Sequence, residues 1–139
     1  MTDQVLEKAI AVTAPFFKRV EYNWHGGEPL IMGLDFYERV LYYQKKYRQG
    51  PEHHIINTMQ TNGTLITQET AEFIKKYGFG IGLSFDGPFN DQTRGKTDYT
   101  LNAYDLLKQI DKRHGTISVI GAHNIHNLIA VSYTHLRAH

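Results

Sequence analysis

Three short segments carry residues suited to gripping a small charged ligand. They are His25-Gly26-Gly27-Glu28-Pro29, Gln60-Thr61-Asn62-Gly63-Thr64 and Ser84-Phe85-Asp86-Gly87-Pro88. Adjacent glycines let a ligand approach the backbone, and their carbonyls can accept hydrogen bonds from an ammonium. Glu28 adds a charged acceptor beside them. Ser84 and Asp86 together offer a hydroxyl and a carboxylate, a pair that suits a ribose diol. Arg94 follows as a partner for a ligand carboxylate. The set reads as a site for an amino acid joined to a nucleoside. Each segment alone also reads as turn chemistry: Asn62-Gly63 and Asp86-Gly87-Pro88 are common turn pairings. Their equivalent position after three successive strands is what turn chemistry does not require.

The elements that must position these residues alternate regularly. Helices are expected at 3–14, 34–48, 67–77 and 100–114, with Thr2 and Thr67 as N-caps and Gly78 and Gly115 as C-caps. Strands are expected at 20–25, 54–61, 80–86 and 116–120. This β-α-β-α-β-α-β order, preceded by a helix, implies a parallel sheet with right-handed crossovers. One face of the first and third strands is apolar. The other carries Glu21, Asn23 and His25 in the first strand, and Gly82, Ser84 and Asp86 in the third. A sheet covered on both faces prefers apolar residues on both, so this pattern favours a barrel wall lining a cavity. The fold class is therefore α/β, with parallel βα repeats. Ligands in such folds sit at the carboxyl ends of the strands, where the three segments fall.

Composition narrows the function further. The chain has 139 residues, a formal net charge of +1 and a hydrophobic fraction of 41%. Near-neutral charge argues against nucleic-acid binding by bulk electrostatics. No apolar run reaches membrane-spanning length. No signal peptide is visible, so a cytoplasmic location is expected. There is no cysteine, which excludes disulfides, thiolate zinc sites and cysteine nucleophiles. His123 and His126 lack a third ligand and read as loop histidines. The Asn62-Gly63-Thr64 sequon is set aside for want of a secretory signal. No metal site and no catalytic residue is assigned.

The segments Trp24-His25-Gly26-Gly27-Glu28-Pro29-Leu30, Gln60-Thr61-Asn62-Gly63-Thr64-Leu65 and Gly82-Leu83-Ser84-Phe85-Asp86-Gly87-Pro88, in this order and spacing, closely resemble radical S-adenosylmethionine (SAM) enzymes. The subgroup they resemble is that of the anaerobic sulfatase-maturating enzymes and related SPASM-type peptide-modifying enzymes. The resemblance implies a fragment of a partial (β/α)6 barrel. It places Gly26, Gly27 and Glu28 at the SAM amino group, Pro29 in the turn, Ser84 on SAM and Arg94 at its carboxylate. His25 becomes substrate-proximal, and Asn62 and Asp86 match motif positions with less defined roles.

The implied reaction is reductive cleavage of SAM at a 4Fe–4S cluster, giving a 5′-deoxyadenosyl radical that abstracts hydrogen from a substrate. A peptide or protein side chain is the implied substrate, and an external electron donor the implied partner. The cluster's CxxxCxxC loop is absent from this sequence and is expected upstream of Met1. As written, the chain is therefore expected to be inactive. The alternatives are a non-catalytic SAM- or peptide-binding module and a fragment without independent function. Residues 1–129 are expected to form the partial core domain. Residues 130–139 are expected to be a non-native tail, since Val131 to His139 match the conceptual translation of a sequencing adapter.

Overall fold

The computed structural model describes residues 1–111, 114–122, 124–127 and 129–130. Its sheet has four parallel strands in the order β1-β2-β3-β4: Arg19–Trp24, His54–Thr61, Gly80–Ser84 and His114–Ile117. Helix α1 (Asp3–Thr13) precedes β1, α2 (Leu34–Lys46) joins β1 to β2, and α3 (Gln68–Tyr77) joins β2 to β3. A short α4 (Asn90–Thr93) and then α5 (Thr97–Gln109) connect β3 to β4. Strand order that follows chain order, with crossovers of one hand, puts every helix on the same side of the sheet. A doubly wound sheet would reverse direction partway. This is the barrel-wall arrangement expected from the alternation.

The two faces differ as the strand patterns require. Met59, Ile81 and Leu83 lie buried beneath the helices, with Ile10, Val40, Ile74, Ala103 and Leu107 packed over them. An aromatic group continues this core. Trp24, Phe36, Tyr37 and Phe79 meet edge to face at centroid distances of 5.1–5.7 Å, a favoured geometry for rings. One polar network is buried with them. Trp24 Nε1 and Gln44 Nε2 both donate to Asn57 Oδ1, at 3.0 and 2.9 Å, and Asn57 Nδ2 returns a bond to Gln44 Oε1. These three polar side chains are thus satisfied by one another. The opposite face is open. Glu21, Asn23, Thr58, Gly80, Gly82 and Gly115 line a concavity of about 470 Å³ there.

Several caps stand where the sequence puts them. Thr2 accepts from Val5 N–H, Thr67 accepts from Thr70 N–H, and Gly78 adopts a left-handed conformation at the end of α3. The last helix and strand do not. α5 begins at Thr97 rather than 100, because Asp91 Oδ1 accepts from both the Thr97 N–H and its hydroxyl, at 3.2 and 2.6 Å. It ends at Gln109, with Asp111 taking the left-handed conformation that the sequence pattern gives to glycine (φ 54°). Gly115 therefore lies inside β4 and caps nothing. No helix among the described residues is long and apolar enough to cross a membrane. His123 and Val131 to His139 lie outside the described residues.

This packing predicts that Val40→Ala and Leu107→Ala, both at fully buried positions, each lower unfolding free energy by about 2–4 kcal/mol. Leu101→Ala, on the exposed side of α5, should stay within about 0.5 kcal/mol. Urea denaturation followed by circular dichroism measures both. A Leu101 effect as large as that of Leu107 would contradict the α5 register.

Candidate functional site

All three motif segments reach the carboxyl edge of the sheet. The first leaves β1 at His25, which is exposed. Gly26 and Gly27 follow with φ of +97° and +60°, and a Cβ built on either meets nothing within 4 Å. Left-handed backbone disfavours any side-chain-bearing residue here. The empty space above both residues leaves their peptide groups approachable. Pro29 opens a 3-10 helix, Pro29–Met32. The buried Tyr37 hydroxyl donates to the Pro29 carbonyl at 2.8 Å. Burial, and then the nearby Glu28 charge, holds the Tyr37 phenol well above its ordinary pKa, so it remains a donor.

Glu28 is engaged by the chain itself. Its Oε1 accepts from Leu30 N–H at 3.1 Å and from the Thr61 hydroxyl at 2.7 Å, and its Oε2 accepts from Asn62 N–H at 2.8 Å. The carboxylate thus joins the end of β1 to the end of β2. Three of its acceptor positions are filled, so most of its capacity is unavailable to an ammonium. Among the described residues the carbonyls of Gly26 and Gly27 accept no hydrogen bond, so they are the open acceptors beside it.

Asn62, Ser84 and Arg94 do meet. They line a cavity of about 240 Å³ together with Thr64, Gly95, Lys96 and Thr100. Asn62 is fixed through several atoms: its Oδ1 accepts from Thr64 N–H and the Thr64 hydroxyl, at 2.9 and 2.7 Å, and its carbonyl accepts from Thr100 Oγ1 at 2.9 Å. Gly63 must be small as well as left-handed (φ +79°), since a Cβ would lie 3.1 Å from both Ala103 and Leu83 side-chain atoms. Ser84 Oγ accepts from Gln60 Nε2 at 2.9 Å, and among the described residues its O–H has no acceptor, which leaves it to donate into the cavity. Among the described residues the lining holds two cations, Arg94 and Lys96, and no acid, so it favours an anionic group such as a carboxylate.

Asp86 does not face this cavity. It is 1% exposed, which leaves no room for a ribose diol at its carboxylate. Its Oδ2 accepts from Thr93 Oγ1 at 2.7 Å and from Arg94 Nε at 2.9 Å, and its Oδ1 accepts from Val119 N–H at 2.9 Å. Burial alone would raise its pKa. The bonds from Thr93, Val119 and Arg94, with the arginine's charge, outweigh this and hold the carboxyl below its usual value.

Several contributors lack a distinctive sequence signal. Lys96 adopts a left-handed conformation (φ 53°) at the cavity rim. Asn90, 1% exposed, bonds the Asp86 N–H, Gly95 carbonyl and Thr97 hydroxyl and so braces the loop. Gln60 was recoverable in principle. It pairs in register with Gly82, and a methyl on Gly82 would overlap its amide, so the glycine gives Gln60 room to reach Ser84.

The sequence profile of the Radical SAM superfamily matches residues 1–131, and the chain belongs to that superfamily. It is 36% identical over 134 residues to a serine-type anaerobic sulfatase-maturating enzyme of Bacteroides thetaiotaomicron, covering 89% of this chain and 32% of that protein. It is 39% identical over 89 residues to a cysteine-type anaerobic sulfatase-maturating enzyme of Clostridium perfringens, covering 63% of this chain and 24% of that one. The solved structure described as "Native anSMEcpe with bound AdoMet and Cp18Cys peptide" superposes with a TM-score of 0.87 at 27% identity, over 99% of this chain and 40% of that one. The chain thus spans 32% and 24% of the length of these two sulfatase-maturating relatives.

Asp86 makes the stability of the fold depend on pH. A group whose folded pKa is depressed stabilises the fold above its unfolded value and loses that contribution as pH falls through the folded one. Asp86→Asn should therefore be less stable than wild type at pH 7. The gap should close progressively below about pH 4, the unfolded aspartate range. Urea midpoints between pH 7 and pH 2 measure this, and a constant gap would contradict it.

Proposed function

We propose that this chain forms part of the SAM-binding wall of a radical SAM enzyme of the sulfatase-maturating kind. The observation that carries this is the junction of the 240 Å³ cavity, lined by Asn62, Ser84 and Arg94, to the open Gly26-Gly27 turn through Glu28. The residues fit the two ends of an amino acid. The carbonyls of Gly26 and Gly27 accept the ammonium. Arg94 and the Ser84 hydroxyl donate to the carboxylate, with Lys96 adding positive potential. Glu28 and Pro29 fix the turn, while Asn62 and Thr64 form the wall between. In the parent reaction SAM supplies the 5′-deoxyadenosyl group that takes hydrogen from the substrate. His25, exposed at the end of β1, lies on the side from which a substrate approaches. A peptide is the substrate class, supported by the peptide named in the structural neighbour. An external electron donor and a cytoplasmic location belong to the same reading.

The residues present do not fit the iron–sulfur cluster. The chain has no cysteine, and no cluster of three His, Cys, Asp or Glu that could hold a metal occurs among the described residues. Cluster ligation needs thiolates. This chain therefore binds SAM without cleaving it. Anaerobic treatment with iron, sulfide and dithionite should yield no iron–sulfur chromophore and no 5′-deoxyadenosine. Protein-dependent 5′-deoxyadenosine would contradict that assignment.

Calorimetric titration with SAM tests the binding reading. Arg94→Ala removes a charged donor and should weaken binding about tenfold or more. Gly27→Val forces a β-branched residue into left-handed backbone and should weaken it comparably. Unchanged affinity in both variants, or no binding by the parent chain, would sink the assignment.

A further inference from the structure

Arg94 can read a carboxylate only if its guanidinium is held still and its terminal nitrogens face outward. The side chain is 27% exposed, so water alone would leave it free to swing. Its Nε donates to Asp86 Oδ2 at 2.9 Å, and among the described residues its two terminal nitrogens donate to nothing. A planar fork bound through Nε leaves its end-on pair available for a second, bidentate acceptor. The acceptor at Nε is itself immobile. Asp86 is held by Thr93 Oγ1 on one oxygen and by Val119 N–H on the other, and its own N–H donates to Asn90 Oδ1 at 3.2 Å. The backbone of Arg94 is fastened to the same scaffold, its N–H donating to the Asn90 carbonyl at 2.7 Å. Both ends of the arginine are thus set by one braced loop, and Val119 ties that loop to the chain leaving β4.

We infer that Asp86 is a positioning residue: it contacts no ligand, and aims the free end of Arg94 at the carboxylate of the amino-acid part of the bound ligand. This rests on the SAM reading above. It changes the role of Asp86 from a ribose contact to the support of a carboxylate contact. It also makes a selective claim, because only ligands carrying that carboxylate depend on the aim of the arginine.

The test compares SAM with 5′-methylthioadenosine, which keeps the nucleoside and the sulfur and lacks the amino-acid carboxylate. Both are titrated into the full chain by calorimetry. Asp86→Asn is expected to weaken SAM about tenfold and to leave methylthioadenosine within about twofold. Arg94→Ala should show the same selectivity. The double variant should be no worse than Arg94→Ala alone, since the two residues act as one unit. Should Asp86→Asn fail to fold, Asp86→Glu keeps the charge and displaces it by one methylene; it should give the same selective loss. Equal loss of both ligands would make Asp86 a general support of the fold and overturn the proposal. So would undiminished SAM affinity in the Asp86 variants while Arg94→Ala loses it, or additive effects in the double variant. If Arg94→Ala itself leaves SAM affinity unchanged, the underlying SAM reading fails instead.

Discussion

A carboxylate drawn out of water must be met by donors, and the edge of this sheet is organised around two that are: half-buried Glu28 and fully buried Asp86. Removing an ion from solvent costs several kcal/mol unless hydrogen bonds replace its hydration. Glu28 recruits donors from its own turn and from the end of β2. Asp86 recruits them from α4, from Arg94 and from the chain beyond β4. Each therefore fastens one strand end to another element. Loops that would otherwise move independently are held in one arrangement, and Asn62, Ser84 and Arg94 come to line a single cavity. Preorganisation of this kind lowers the ordering cost of binding.

The one polar face of the sheet follows from the same constraint. A wall that must admit a ligand cannot be filled with branched apolar side chains. Gly80 and Gly82 leave space over β3, and Thr58 and Gln60 occupy part of it. Behind the wall, the Trp24, Phe36, Tyr37 and Phe79 rings pack from β1 to the start of β3. Tyr37 reaches from that cluster to the Pro29 carbonyl. The rigidity of the glycine turn thus comes from the aromatic core as well as from Glu28. Membership of the radical SAM superfamily and the superposition on the sulfatase-maturating structure agree with this architecture.

Much of this was legible in the residues. Strand alternation at Glu21, Asn23, Gly82 and Ser84 marks the open face, and β2 lies at 54–61 as the pattern indicates. The caps at Thr2, Thr67 and Gly78 are local hydrogen-bond chemistry, which a sequence displays directly. The start of α5 was not legible, because its cap is supplied by Asp91, six residues away. Its end was hidden because Asp111 took the left-handed role expected of Gly115. The two acids illustrate the same limit. Sequence shows that Glu28 and Asp86 are charged and lie near the site. It does not show that donors as distant as Thr61 and Val119 claim their oxygens, because that depends on tertiary placement.

The braced carboxylates are proposed to assemble one SAM-binding edge at the carboxyl ends of the strands. The most direct measurement is a SAM titration of the isotopically labelled chain followed through its backbone amide resonances. The expected shifts concentrate at Gly26, Gly27, Asn62, Ser84, Gly95 and Lys96, with Arg19, His54 and Gly80 at the opposite ends of the strands unmoved. Shifts centred on that opposite edge, or saturating SAM that moves none of the named amides, would contradict it.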